Sequence, residues 1–285
     1  MPELPEVETI ARGVEKRVCG VRILAAWFGS HREPMKTSPH IQEKALTGAK
    51  FLRVHRVGKH IVCDLSGAVP EPDRKSAESG PNPDLQWIVH LGMTGRLLVT
   101  HSAAEVVAHT HARLTLEDGR EIRFVDARRF GRLELRDLRH QQAFQGPGSE
   151  PLTIAPRDFH ALFHGRKTSI KAALLNQNLL HGVGNIYADE SLFRAGIRPQ
   201  IRASRLTRVQ LERLRVALQQ VLAQAIQLGG SSVSDYVDAN GVKGFFQLEH
   251  RVYGREGQPC RDCGAAIRRI QLAGRSTHFC PACQR

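Results

Sequence analysis

Gln145-Gly146-Pro147-Gly148 is where the sequence changes character. Two glycines and a proline in four residues break both strands and helices. On the N-terminal side, apolar residues come in short runs of strand length: 51–57, 60–65, 85–91, 96–100, 112–116, 121–125 and 132–135. Glu117-Asp118-Gly119, between two of these runs, is a hairpin signal. Short strands at that spacing predict a sandwich or barrel. On the C-terminal side, from about 156 to 229, helical periodicity takes over. Its clearest stretch runs from 207 to 228, with Leu211, Leu214, Leu218, Val221, Ala225 and Leu228 as the apolar stripe. Thr207 and Gln210 form a capping box, and Gly229-Gly230 is the stop.

Working outward, Val7, Ile10, Ala11, Val14 and Val18 predict an opening helix. Pro5 suits its first turn, and Glu6 and Glu8 suit the positive end of its dipole. Residues 67–84, rich in Pro, Ser and charge, are expected to be a flexible surface loop with no chemistry of its own. The expected fold class is α+β in two domains. A β-sandwich with a flanking helix occupies residues 1–145. A helical domain follows over 156–245, with a small cysteine-bearing hairpin appended over 250–285.

With 285 residues the chain has room for about two domains. Lys and Arg number 41 against 28 Asp and Glu, a net charge of +13. That balance favours a polyanionic partner. A hydrophobic fraction of 41% excludes wholesale disorder. No apolar run approaches the ~18 residues of a membrane span. Met1-Pro2-Glu3-Leu4-Pro5-Glu6 lacks the apolar core of a signal peptide, so a cytosolic location is expected.

The six cysteines divide unevenly. Cys260 and Cys263 form one C-x-x-C pair; sixteen residues later Cys280 and Cys283 form another. A cytosolic chain seldom keeps disulfides, and two such knuckles suit one tetrahedral Zn²⁺. With four thiolates and no open position, the metal is expected to be structural. Free or redox-active cysteines are the alternative. Ile267, Ile270, Leu272, Gly274, Thr277 and Phe279 predict a hairpin between the knuckles, presenting Arg268, Arg269 and Arg275. Arginines on a small hairpin are, by themselves, more often a solvated face than a base reader.

The N-terminus is a possible reagent. Removal of Met1 would leave Pro2 with a free secondary amine. An α-amine titrates near ~7.7–8.0, so part of it is an unprotonated nucleophile at neutral pH. Such an amine can attack C1′ of a sugar, and Glu3 beside it could protonate the ring oxygen or shuttle protons. Taken singly, a Pro-Glu opening is ordinary.

Three motifs change that weighting. Pro2-Glu3-Leu4-Pro5-Glu6-Val7-Glu8-Thr9, His181-Gly182-Val183-Gly184-Asn185-Ile186-Tyr187-Ala188-Asp189-Glu190 and Gly274-Arg275-Ser276-Thr277-His278-Phe279-Cys280-Pro281-Ala282-Cys283-Gln284 stand at the start, middle and end of the chain. They resemble the N-terminus, the helix–two-turns–helix and the zinc finger of the formamidopyrimidine-DNA glycosylase family. The resemblance implies excision of oxidised purines, notably 8-oxoguanine and formamidopyrimidines, from double-stranded DNA in base excision repair. Cleavage of the abasic strand by β,δ-elimination would follow. It also implies a monomer, with DNA lying across the cleft between the domains, and one zinc ion on Cys260, Cys263, Cys280 and Cys283.

By the same resemblance Pro2 is the Schiff-base nucleophile and Glu3 the proton shuttle. Lys59 contacts phosphate near the lesion and assists elimination, and Arg275 grips the phosphates flanking the flipped nucleotide. Asn185 is a phosphate ligand at a helix start, where amides make a ready anion site. Met93, Arg128 and Phe130 fill the void left by the flipped base, and Arg128 pairs with the orphaned base, preferentially cytosine. Lys167 and His111 complete the DNA contacts. Read singly, Lys59 and Lys167 would be solvated lysines, Asn185 an N-cap, and Met93 and Phe130 core. Ala127 departs from the pattern, because the family commonly has proline there. Residues 229–246, including Asp235-Tyr236-Val237, resemble a lesion-capping loop.

Two other readings remain. An endonuclease VIII-like enzyme would act on oxidised pyrimidines; Leu4 and Arg128-Arg129-Phe130 favour the purine enzyme. A zinc-ribbon nucleic-acid binder without catalysis would explain the charge and the cysteines but leave the N-terminal motif unused.

Overall fold

The computed structural model describes residues 1–67, 83–232, 238–239 and 241–285. These residues form two compact units. One comprises Met1–Pro2, Glu6–Gln145 and Ser232–Gly244; the other comprises Glu3–Pro5, Gly146–Ser231 and Phe245–Arg285. The expected surface loop falls largely on residues 68–82, and Asp235-Tyr236-Val237 belong to 233–237; both stretches lie outside the described residues.

The first unit is a β-sandwich. Helix α1 (Leu4–Val18) is followed by β1 (Ile23–Phe28), α2 (Pro39–Leu46), β2 (Lys50–Val57), β3 (His60–Ser66), β4 (Leu85–His90), β5 (Arg96–His101), β6 (Thr110–Leu116), β7 (Arg120–Val125) and β8 (Arg132–Asp137). The strands make two antiparallel four-stranded sheets, ordered β1-β6-β7-β5 and β2-β3-β4-β8. Phe28, Leu97, Leu114 and Phe124 of one sheet share a core with Phe51, Ile61, Trp87 and Leu133 of the other. The apolar stripe of α1, Val7, Ile10, Ala11, Val14 and Val18, joins that core. Trp87 is fully buried, with its indole N–H donating to Gln42 Oε1 of α2 (3.2 Å). The other tryptophan, Trp27 in β1, is half-exposed.

The seven predicted strands are present, each within two residues of its expected ends. Two further elements, β1 and α2, went unpredicted. In β1 the ladder shifts register between Ile23 and Ala25, and Leu24 and Trp27 face solvent, so no period-two pattern survives. Helix α2 did carry a start signal. Ser38 caps it, accepting from the Ile41 amide, and Pro39 opens it.

The second unit contains α3 (Pro156–Phe163), α4 (Ile170–Leu175), α5 (Asn185–Arg194), α6 (Arg208–Gln227) and a hairpin of β9 (Arg268–Leu272) and β10 (Arg275–Phe279). The capping box of α6 is formed: the Gln210 amide donates to Thr207 Oγ1 (3.2 Å) and the Thr207 amide to Gln210 Oε1 (2.9 Å). Phe159, Phe163, Leu174, Tyr187, Leu192, Leu214 and Leu218 make the helical core, which Leu4 joins from the N-terminus. A smaller cluster of Phe193, Val252, Ile267, Cys260 and Cys280 lies under the hairpin. Among the described residues no helix is long and apolar enough to cross a membrane.

Candidate active site and nucleic-acid interface

Pro2 is buried, and the Glu3 that follows it is 4% exposed. The Glu3 carboxylate accepts the backbone N–H of Ile186 at Oε1 (3.1 Å) and of Tyr187 at Oε2 (3.4 Å). These amides belong to the first turn of α5, where backbone N–H groups have no intrahelical partner. The Leu4 amide donates to Gly182 O (3.0 Å), so Leu4 lies against the turn before α5. Gly184, the N-cap of α5, makes room: a Cβ there would overlap Glu3 Cδ and Cγ. At this helix start, where Asn185 is expected to meet phosphate, the Ile186 and Tyr187 amides are taken by the protein's own Glu3 carboxylate.

Asn185, the first residue of α5, donates from Nδ2 to Ser276 O of β10 (3.0 Å). Lys171 of α4 is fully buried and reaches the same strand. Its Nζ lies 2.7 Å from Asp189 Oδ1 and donates to Ser276 O (2.8 Å) and Thr277 Oγ1 (2.9 Å). Burial pulls Lys171 below the usual lysine range, and Asp189 opposes that shift. Asp189 Oδ2 accepts the His278 amide (2.9 Å), so one buried ion pair fixes the strand that begins with the exposed Arg275. Lys167, the lysine singled out from the sequence, is exposed. Glu190, also fully buried, accepts the consecutive amides of Arg251, Val252 and Tyr253 at 2.8–3.1 Å. Sequence reading missed Lys171 and Glu190, because charged residues at helical spacing read as a solvated face. The available signal was Asp189-Glu190-Ser191, three polar residues filling the middle of a helix that has no apolar alternative there.

The four paired cysteines converge, with their sulfurs within 4.8 Å of one another. Cys260 and Cys283 Sγ are 3.9 Å apart, and Cys263 and Cys280 Sγ 3.4 Å. Zn–S bonds of ~2.3 Å in a tetrahedron separate sulfurs by about 3.8 Å, so the set fits one zinc ion with no position left for substrate. The zinc is structural. Chelation, or Cys280→Ser, is expected to expose the cluster around Phe193, Val252 and Ile267 and to abolish duplex binding. Electrophoretic mobility shift against zinc content checks this; full binding by zinc-free protein would contradict it.

In the first unit, Lys59 sits in the turn between β2 and β3 and is 9% exposed. Arg56 secures that turn, donating from Nε to Glu8 of α1 (2.8 Å) and from Nη1 to Gly58 O (3.2 Å). The next residue, His60, packs its ring against His90 and Phe144, both at 4.8 Å. Burial, then the charges of His60, Lys59 and Arg132, push His90 down to about 4. Its ring is therefore neutral at pH 7, and Nδ1 accepts the Gly92 amide (3.2 Å), bracing the turn that carries Met93.

Met93 is 40% and Phe130 49% exposed, and the Arg128 guanidinium lies 4.8 Å over the Phe130 ring. Large apolar groups exposed on adjoining turns are informative where a lone exposed side chain is not. His111 is buried, and its Nε2 bonds Asp126 O (2.9 Å); it supports the loop from within. The exposed imidazole nearby belongs to His109, held at φ +64°.

Comparison with known proteins agrees with this architecture. Residues 1–133 match the family model for the formamidopyrimidine-DNA glycosylase N-terminal domain. Residues 146–237 match that for the formamidopyrimidine-DNA glycosylase H2TH domain. Residues 257–285 match a zinc finger found in FPG and IleRS. The chain is 44% identical over 286 residues to a formamidopyrimidine-DNA glycosylase of Solibacter usitatus, covering all of both chains. It is 43% identical over 298 residues to one from Desulfitobacterium hafniense, again covering all of both. Similar solved structures include a Lactococcus lactis FPG variant with Fapy-dG containing DNA (TM-score 0.85, 32% identity, all of both chains). The same enzyme with abasic-site DNA gives a TM-score of 0.83 at 32% identity over 99% of each chain. The chain belongs to the formamidopyrimidine-DNA glycosylase family.

Proposed function

We propose that this protein excises oxidised purines from double-stranded DNA and cleaves the resulting abasic strand through a Schiff base at Pro2. The observation that carries this reading is the Glu3 carboxylate, seated on two amides of α5 immediately after the proline. With Met1 removed, the Pro2 nitrogen attacks C1′ of the damaged nucleotide. As the N–C1′ bond forms, the bond from C1′ to the base breaks and the base leaves. Glu3 takes the proton released by the nitrogen and delivers it to the ring oxygen. The ring opens to an iminium, which acidifies C2′ so that the strand can break on the 3′ and then the 5′ side. Lys59 and Arg275 hold and neutralise the flanking phosphates during elimination, with Asn185 as a further phosphate ligand and Lys167 near the flipped nucleotide. Met93 and Phe130 occupy the emptied stack, and Arg128 faces the orphaned base. His111 acts behind them as support. The same reading has the enzyme working as a monomer in a bacterial-type cytosol.

Borohydride trapping on abasic DNA tests the mechanism. A covalent adduct is expected on the Pro2 peptide, and it should vanish when Met1 is retained or the terminus carries a tag. An adduct on a lysine would overturn the assignment. Glu3→Gln should still bind lesion DNA while losing excision.

One solved relative, the Lactococcus lactis enzyme, has been captured with DNA containing an oxidized pyrimidine. That observation favours a wider lesion range as the second reading. Parallel excision assays on 8-oxoguanine and thymine glycol duplexes separate the two, and much faster release of thymine glycol would reverse the order.

A further inference from the structure

Asp126 is fully buried at the end of β7, and among the described residues it makes no ion pair. Its carboxylate is instead filled by neutral donors from two turns. Oδ1 accepts the Thr94 hydroxyl (2.6 Å) and the Arg128 amide (3.2 Å), and Oδ2 accepts the Gly131 amide (2.8 Å). Thr94 follows Met93; Arg128 and Gly131 bracket Phe130. The two turns touch, since a Cβ on Gly92 would lie 2.5 Å from both Phe130 C and Gly131 N. Backbone bonds anchor the aspartate itself: its N–H donates to His109 O (3.0 Å), and its carbonyl accepts from Arg129 N (3.3 Å) and bonds His111 Nε2 (2.9 Å).

A buried carboxylate without a cation is costly unless its lone pairs are satisfied by hydrogen bonds. Here the nearest basic side chain in sequence, Arg128, gives Asp126 only its backbone N–H. Its guanidinium points elsewhere, over Phe130. The arrangement holds the loop while leaving the arginine's donors for another partner.

We propose that Asp126 is the positioning residue that locks Met93, Arg128 and Phe130 into one rigid set and so sets the preference for the base opposite the lesion. The inference rests on the function proposed above. Arginine offers only donors, so a fixed guanidinium favours cytosine, whose pairing edge offers two adjacent acceptors, over adenine, which offers one acceptor beside a donor. If the loop loosens, that discrimination fades before binding does. Asp126→Asn is the sharpest change. Whichever way the amide turns, an NH₂ faces a backbone N–H, either Gly131 or Arg128.

The experiment compares excision of 8-oxoguanine opposite cytosine and opposite adenine in otherwise identical duplexes. For Asp126→Asn the rate opposite cytosine should fall about tenfold or more, with the cytosine-over-adenine ratio collapsing towards unity. Thr94→Val, which removes one hydroxyl and keeps the shape, should shift the same ratio by less, and it serves if Asp126→Asn does not fold. A uniform loss on both duplexes, or an unchanged ratio in both variants, overturns the proposal. A wild-type chain inactive on both duplexes overturns the functional reading itself, a result distinct from an unchanged ratio.

Discussion

Gly184→Ala is expected to lower lesion excision by about 100-fold or more, the cost of displacing a reacting group by roughly an ångström. The added methyl would occupy the space of the Glu3 carboxyl group. The backbone does not account for the effect: Gly184 is extended, at φ −129° and ψ −165°, which alanine adopts freely. Helix α5 can therefore still start at Asn185, but Glu3 must leave the Ile186 and Tyr187 amides. Overpacking should cost about 1–3 kcal/mol of stability, read by urea denaturation. Affinity for a duplex with an uncleavable abasic analogue should change only a few-fold. Combining Gly184→Ala with Glu3→Gln should be little worse than either alone, because both remove the same function. Normal excision by Gly184→Ala would show that Glu3 works without this seat.

Lys171→Met should carry a large stability loss. It removes the cation from Asp189, which is wholly buried, and strands a charge at a cost of about 3–5 kcal/mol. It also deprives Ser276 O and Thr277 Oγ1 of their donor, so the strand headed by Arg275 loses its fixed position. Faster zinc release and weaker binding to abasic duplex should accompany the lower denaturation midpoint. Replacing both partners, Lys171→Met with Asp189→Leu, should recover much of the stability, because an apolar pair leaves no orphaned charge. Recovery of stability without recovery of affinity would separate holding the fold from placing the strand. A loss below about 1 kcal/mol in the single variant would mean that His278, with Nδ1 3.4 Å from Asp189 Oδ2, takes over as partner.

Much of this architecture is legible without coordinates, and the reasons differ by element. The opening helix, the seven strands and α6 follow from apolar periodicity and capping chemistry, which are local properties. The cysteine site follows from spacing alone, because four thiolates leave few geometries. Helix α2 buries only Gln42 and Leu46, too little apolar surface to register as a stripe. Strand β1 lost its alternation to a bulge. The sequence singles out Glu3 as a candidate proton shuttle but not its seat, since its partners lie more than 180 residues away. Asp126, Lys171, Asp189 and Glu190 share one physical cause for escaping notice. Each is a charged side chain whose burial is made tolerable by bonds to distant backbone or to another buried charge. No local pattern distinguishes such a residue from one facing water. The burial of His111, with Nε2 on Asp126 O, is likewise set by contacts distant in sequence.

The placement of the two tryptophans gives this protein a built-in reporter. Trp27, at the sandwich edge, and Trp87, sealed inside it, both belong to the first unit. The helical unit with its finger has no tryptophan and carries instead a signal of a different kind, release of the metal to a chromogenic chelator. Indole emission and zinc release therefore follow the melting of separate halves in one sample. If the two curves superimpose, the molecule unfolds as a single cooperative body; if they part, each half has its own stability, and every denaturation midpoint must be assigned to one of them.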